Sequence, residues 1–285
     1  MPEIVVPQDI CDYIVDFVAD DVPETHPWYQ PLPRSQRDSF ATCSLLGRNW
    51  LPRSSYYLFD RAIVSHELRF LQRAQSSSRL TENIKSIAFA YSSLRRDVDP
   101  DVIEAIISLL PRLQRLAFDM GDSTIPELPQ PPRLRRSLKN VRIDTMSATS
   151  TLYYLSRFES IDELYLCKVV HNGSSPLVVQ DTSSLAVRDL ALIKSTGSSS
   201  AGKFIEALKD LLAPKALQRL TIDEGKSRCD ASLEKWFDPS PGSFGNSLRF
   251  FSVRLSNITS SGFNGTSGTF DQILRNCSVL TTRGY

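Results

Sequence analysis

Gly197, Gly202 and Lys203 fit G-x-x-x-x-G-K, the opening of a phosphate-binding loop. Such a loop cradles phosphates with backbone N–H groups, and its lysine reaches the outer phosphates. A strand-like run precedes it (Leu190, Leu192, Ile193) and a helix-like run follows it (Phe204, Ile205, Leu208, Leu211, Leu212). The chemistry also needs Ser or Thr directly after the lysine, to hold magnesium. Phe204 stands there instead, and it suits the apolar face of the coming helix. Asp223, in Leu220-Thr-Ile-Asp, is the one candidate for a second magnesium ligand, but its strand has the form of six others. Ser, Gly and Ala are ordinary loop residues. A P-loop nucleotide hydrolase is therefore the less favoured alternative.

Other residues that could do chemistry are scattered. His26 lies in a Pro-rich loop, His66 starts a helix, and His171 precedes the turn pair Asn172-Gly173. Each reads as a solvated surface histidine. There is no G-x-S-x-G, no H-E-x-x-H and no paired-carboxylate motif. Asp97, Asp99 and Asp101 alternate, but no Gly and Glu follow at calcium-loop spacing. Asp99 to Asp101 suit the cap of a helix that begins near Val102. Cys11, Cys43, Cys167, Cys229 and Cys277 are odd in number and form no C-x-x-C pair. That disfavours zinc and a disulfide framework and suits a reducing cytosol or nucleus. No enzyme activity, cofactor or metal is expected.

The composition limits partners. The chain has 285 residues, 33 Lys plus Arg and 32 Asp plus Glu, a net charge of +1. No global field draws it to nucleic acid or membrane. The basic cluster Arg133, Arg135, Arg136, Lys139 is local and reads as a solvated loop. No stretch approaches the length of a spanning helix, and Glu3, Asp9 and Asp12 interrupt the N-terminal apolar residues, unlike a signal peptide. The sequons at Asn257 and Asn264 are then idle. The expected location is cytoplasmic or nuclear.

The elements that must position any site fall into two kinds. The first 60 or so residues read as helical. Pro7 suits a first helical turn, and Ile10, Ile14, Phe17 and Val18 follow on one face, widened by Cys11 and Val15. Pro23, Pro27, Pro31 and Pro33 punctuate a loop. Ser35 with Asp38 resembles a capping box for a second helix carrying Phe40, Cys43, Leu46 and Trp50, closed by Pro52. A third helix is expected over 54–59, then a strand at Ala62, Ile63 and Val64. These helices have Ile10, Ile14, Phe17, Leu45, Leu46, Trp50, Leu58 and Phe59 to bury, more than so small a core readily takes. Part of that surface is open to a partner helix or groove.

From about residue 84 a unit of form L-x-x-L-x-L recurs: Ile84, Ile87, Phe89; Leu113, Leu116, Phe118; Leu138, Val141, Ile143; Ile161, Leu164, Leu166; Val187, Leu190, Leu192; Leu217, Leu220, Ile222; Leu248, Phe251, Val253. Their middle positions are 23 to 31 residues apart. Helical stretches are expected between them at 102–110, 151–158 and 204–212, and after them at 270–277. Strand plus helix is one repeat, and repeats bury their apolar faces by stacking. The expected fold is α/β: a curved, irregular leucine-rich-like solenoid over 61–285 behind a helical domain over 1–60, with a parallel sheet on the concave face. No fixed Asn closes each turn. The intervening positions Gln114, Arg115, Ala117, Asp162, Glu163, Tyr165, Gln218, Arg219 and Thr221 are expected on that face. Cys277-Ser-Val-Leu280 reads as the start of another strand, which implies either a short cap or a longer parent chain.

Val6-Pro7-Gln-Asp-Ile10 with Ile14 resembles the L-P-x-E-[IL]-x-x-x-[IL] opening of the F-box. Cys43-Ser-Leu-Leu-Gly-Arg-Asn-Trp50 and Leu51 to Phe59 resemble its continuation, C-S-L-V-C-R-x-W and L-F. The pattern is similar to F-box-like proteins of mushroom-forming fungi, which carry degenerate leucine-rich repeats downstream. The resemblance implies a substrate adaptor. The F-box head docks on the Skp-type linker of a cullin–RING ubiquitin ligase, and the repeats hold a protein substrate. By position, Val6, Pro7, Ile10, Ile14, Leu45, Leu46 and Trp50 would meet the linker or brace the helices that do. Arg115, Glu163, Tyr165 and Arg219 would face the substrate. The chain departs from the pattern at Val6, at Gly47 and in the long loop over 19–34. The alternative is a repeat scaffold that no longer binds the linker.

Overall fold

The structure, a computed structural model, describes residues 6–20, 27–90, 99–119, 136–169, 184–194, 201–225, 236, 244 and 247–255. They form an α/β protein with eight helices and eight strands. The strands follow chain order, β1 to β8, in one open sheet, and β1–β2, β4–β5, β5–β6, β6–β7 and β7–β8 pair in parallel. Parallel neighbours need crossovers, and among the described residues four of the seven links between successive strands carry a helix. No helix among the described residues is long and apolar enough to cross a membrane. The described residues fall into two compact units: those up to Ala90 with Asp99–Ala117, and those from Phe118 onward.

The first unit begins with α1 (Gln8–Asp20), α2 (Arg34–Leu45) and α3 (Leu51–Phe59). Three local expectations change here. The Ser35/Asp38 capping box does not form: α2 starts at Arg34 behind Pro33, with no side-chain cap. Pro33, at φ −49° and ψ 140°, already sets the extended entry. Nor does α2 run to Pro52. It ends at Leu45, and Gly47 follows at φ +159°, so that glycine sits past the helix end and not in its interior. Pro52 instead occupies the first turn of α3, where its missing N–H costs nothing, and α3 starts at Leu51, ahead of the expected 54.

Then come β1 (Arg61–Val64), α4 (Glu67–Ser76), α5 (Ser78–Asn83), β2 (Ser86–Ala90), α6 (Pro100–Leu109) and β3 (Arg115–Asp119). Asp99 caps α6 as expected, its carboxylate accepting from the Asp101 N–H at 3.0 Å. Val102, Ile103, Ile106 and Ile107 fill its inner face.

The second unit carries β4 (Arg136–Asp144), α7 (Ala148–Leu155), β5 (Phe158–Cys167), β6 (Ala186–Ile193), α8 (Ala201–Leu211), β7 (Arg219–Gly225) and β8 (Phe250–Leu255). Ser147 caps α7, so it begins three residues before the expected 151, and Phe158 opens β5 instead of closing the helix. Val141, Leu164, Leu190, Leu220 and Phe251 align across five strands, and Ile143, Leu166, Leu192, Ile222 and Val253 form the next row. The four aliphatic residues at the head of each row are at most 1% exposed. Truncating one such leucine to alanine costs about 2–5 kcal/mol. All seven recurring units thus coincide with strands. The helix expected at 270–277 lies outside the described residues.

Three successive strands end alike. Thr145, Lys168 and Lys194 take positive φ (51°, 52° and 51°) directly after β4, β5 and β6. Each donates its N–H to the neighbouring strand: Thr145 to the Cys167 carbonyl at 2.9 Å, Lys168 to Ile193 at 2.8 Å, Lys194 to Asp223 at 2.7 Å. A backbone turn closes these three strands where no asparagine stands.

Candidate functional site

Helix α1 is apolar on two faces. Cys11 and Val15, four residues apart, are fully buried. Ile10, Tyr13, Ile14 and Phe17 follow i, i+3, i+4, i+7 and are 46%, 71%, 40% and 64% exposed. The face expected either to pack on the chain or to stay open to a partner is the open one, and Cys11 and Val15, expected only to widen it, are the core. Leu45 and Leu46, at the end of α2, are 85% and 61% exposed. Phe59 is exposed too, while Trp50 and Leu58 are half-buried.

Polar contacts fix the rotation of α1. Gln8 Nε2 donates to the Asn49 carbonyl at 2.7 Å, and Asn49 Nδ2 donates to the Val6 carbonyl at 3.2 Å. These bonds bring the start of α1 to the link before Trp50. Half-buried Val6 and exposed Pro7 lie at that junction. Further along, Arg53 and the Tyr57 hydroxyl both donate to Asp16. Arg53 holds the Asp16 carboxyl below the usual carboxylate range, with the Tyr57 bond adding to it and burial opposing. Burial, then the bond to Asp16, pushes the Tyr57 phenol up to about 12. Phe40, fully buried, stacks on the Tyr57 ring at 5.2 Å. Sequence reasoning missed Tyr13, although it stands at helical spacing from Ile10 and Phe17, and it missed the Asp16–Arg53–Tyr57 set, which no local motif announces.

The second unit presents a polar sheet face in register. Asn140, Glu163, Asp189, Arg219 and Phe250 form one row, and Arg142, Tyr165, Ala191, Thr221 and Ser252 the next. Asn140 Nδ2 and the Tyr165 hydroxyl both donate to Glu163 Oε2, at 2.6 and 3.2 Å. Arg219 reaches Asp189 at 4.0 Å and lies over the Phe250 ring at 5.1 Å. Burial, reinforced by Glu163, raises the Tyr165 phenol. Glu163, Tyr165 and Arg219 thus share one face, as expected. Arg115, half-buried on β3, belongs to the first unit. Ala117, expected on the open face, is instead buried, 4% exposed.

The phosphate-loop pattern finds no support at its lysine end. Gly202, Lys203 and Phe204 belong to α8, and Phe204 is 1% exposed. A core phenylalanine occupies the position where magnesium needs a hydroxyl. Residues 195–200 lie outside the described set, as do His26, His171, Cys229 and Cys277. Cys11, Cys43 and Cys167 are free thiols. Burial raises Cys11 and Cys167 above the ordinary thiol range, so neither is an activated thiolate. Among the described residues no three of His, Cys, Asp and Glu converge as a metal site. No family model, curated protein or solved structure matches the chain.

Proposed function

We propose that this chain is a substrate adaptor of a cullin–RING ubiquitin ligase, with an F-box-like head followed by irregular leucine-rich-like repeats. The head docks on a Skp-type linker, and the sheet face of the second unit, with Glu163, Tyr165 and Arg219, holds a protein substrate. Catalysis lies in other subunits, and this chain raises the local concentration of substrate beside them.

The observation that carries the reading is the open stripe of Ile10, Tyr13, Ile14 and Phe17, with Leu45 and Leu46. Of the residues that carry the F-box resemblance, Ile10, Ile14, Leu45, Leu46 and Phe59 are apolar and exposed, while Val6 and Trp50 are half-buried. A surface of this kind stays soluble in a cell when a partner covers it. The parallel strands of the second unit, with α7 and α8 in two of the crossovers, support the repeat reading.

Co-expression with a Skp-type linker, followed by affinity purification and size-exclusion chromatography, tests it. A stoichiometric complex, lost in Ile10→Asp and Leu46→Glu variants that remain folded by circular dichroism, is the expected result. A folded chain that never retains the linker would leave a repeat scaffold whose head no longer docks.

A further inference from the structure

Three strands of the first unit carry a row of polar residues in which, among the described residues, the Ser86 hydroxyl and one Arg61 nitrogen have no hydrogen-bond partner. Arg61 on β1 is paired in register with Ser86 on β2. In that pair the Ser86 N–H donates to the Asp60 carbonyl at 2.9 Å. The Arg115 N–H donates in the same way to the Lys85 carbonyl at 3.0 Å. The same pattern therefore pairs Ser86 with Arg115, as it pairs Arg219 with Phe250, whose N–H donates to Gln218. Arg61, Ser86 and Arg115 stand side by side on one sheet face, with strands about 4.8 Å apart.

The middle hydroxyl is orphaned. Ser86 is 1% exposed, and its Oγ has no hydrogen-bond partner. Arg61 Nη1 is likewise buried and unpartnered. Neither Arg61 nor Arg115 joins an ion pair among the described residues. Desolvation lowers the Arg61 guanidinium, Asp60 supports it, and the charge of Arg115 lowers it further. Lys85, the other nearby cation, is engaged with Tyr56, its Nζ bonded to the hydroxyl and 4.3 Å from the ring centroid. Burial pushes Asp60 up, against the pull of Lys85, Arg61 and Arg115. Buried polar atoms are normally paired. Two orphan donors and two guanidinium groups, in one row, define a place for an acceptor of negative charge.

We infer that Arg61, Ser86 and Arg115 form an oxyanion-binding subsite. Arginine offers a planar fork matched to carboxylate or phosphate oxygens, and the serine hydroxyl supplies a further donor between the forks. The anion satisfies both orphan donors and separates the two like charges. Its source is either a free inorganic anion or an acidic side chain of a bound polypeptide. The subsite stands without the adaptor reading. If both hold, the adaptor takes a substrate segment bearing an acidic residue at this point.

The test uses the full chain, with melting temperature and isothermal titration read in sodium phosphate against sodium chloride at matched ionic strength. Phosphate also stabilises proteins non-specifically, so the quantity read is the difference between wild type and variants. Arg115→Gln and Arg61→Gln are each expected to weaken phosphate binding about tenfold or more, and Ser86→Ala to weaken it less. Arg115 is the variant to rely on should Arg61→Gln fail to fold. Displacement of phosphate by hexaglutamate, but not by hexaglutamine, identifies a polypeptide ligand. Phosphate binding without that displacement identifies a free anion. An identical phosphate response in wild type and Arg115→Gln, with no binding of hexaglutamate, overturns the inference.

Discussion

Arg53 grips Asp16 through two hydrogen bonds, Nε to Oδ1 at 2.6 Å and Nη2 to Oδ2 at 2.9 Å, and so ties α3 to α1. The pair sets which face of α1 points inward. Because Asp16 lies on α1 but rotated off the Ile10–Tyr13–Ile14–Phe17 stripe, and Arg53 lies on α3, the clamp orients the apolar stripe without occupying it.

The clamp makes stability depend on pH in a defined direction. Both side chains are more than a third exposed, 39% and 38%, so solvent screens the pair and it contributes roughly 1 kcal/mol. The folded Asp16 carboxyl is held low, chiefly by Arg53. Its contribution is therefore present above the unfolded Asp value of about 3.9 and is lost as pH falls through the folded value. Asp16→Asn is expected to be less stable than wild type near neutrality, and the two urea midpoints to converge in acid. A gap of constant size across that range would show that the ion pair contributes nothing.

The two faces of α1 predict opposite outcomes for neighbouring residues. Val15→Ala removes two methyl groups from a fully buried site and should cost about 2 kcal/mol. Ile14→Ala removes more apolar volume from a side chain 40% exposed, yet should cost well under half as much. Chemical denaturation of the two variants decides between the faces. If Ile14→Ala proved the more damaging, the stripe would be core, and the docking surface would not exist.

That pair of residues also shows where sequence stops being informative. Ile10, Ile14 and Phe17 share a helical face by spacing alone, but so do Cys11, Val15 and Val18. Periodicity finds an apolar face; it does not say which of two adjacent faces meets the chain and which stays open. The difference here is made by Arg53 and Tyr57, about 40 residues away, for which no local pattern exists. The repeats were legible for the opposite reason. Each L-x-x-L-x-L unit carries its own inside and outside, and seven occurrences at similar spacing reinforce one another. Of α4 only the start at His66 was legible, and α5 escaped notice, because their few apolar positions, Leu68, Phe70, Leu71 and Ala74 in α4 and Leu80 in α5, lie among polar residues, and Leu68 faces solvent at 60% exposure. The Arg61–Ser86–Arg115 row was invisible for a further reason: it exists only once three strands are in register.

The turns that close β4, β5 and β6 predict a gain rather than a loss. At φ 51° Thr145 holds a β-branched side chain in the left-handed region, where Cβ crowds the backbone by roughly 1–2 kcal/mol. Its backbone N–H bond to the Cys167 carbonyl survives any substitution, whereas its hydroxyl makes only a 3.1 Å contact with Asp144 next door. Thr145→Gly should therefore relieve the crowding and, after the larger entropy of an unfolded glycine is subtracted, stabilise the second unit by about 0.5–1 kcal/mol. Lys168→Gly and Lys194→Gly should do the same, since their φ values are 52° and 51°. Urea unfolding followed by tryptophan fluorescence, with Trp236 buried in the second unit, reads the change. Three losses of stability instead of three gains would mean that these residues are held by contacts of their side chains, and that the shared turn is not what closes these three strands.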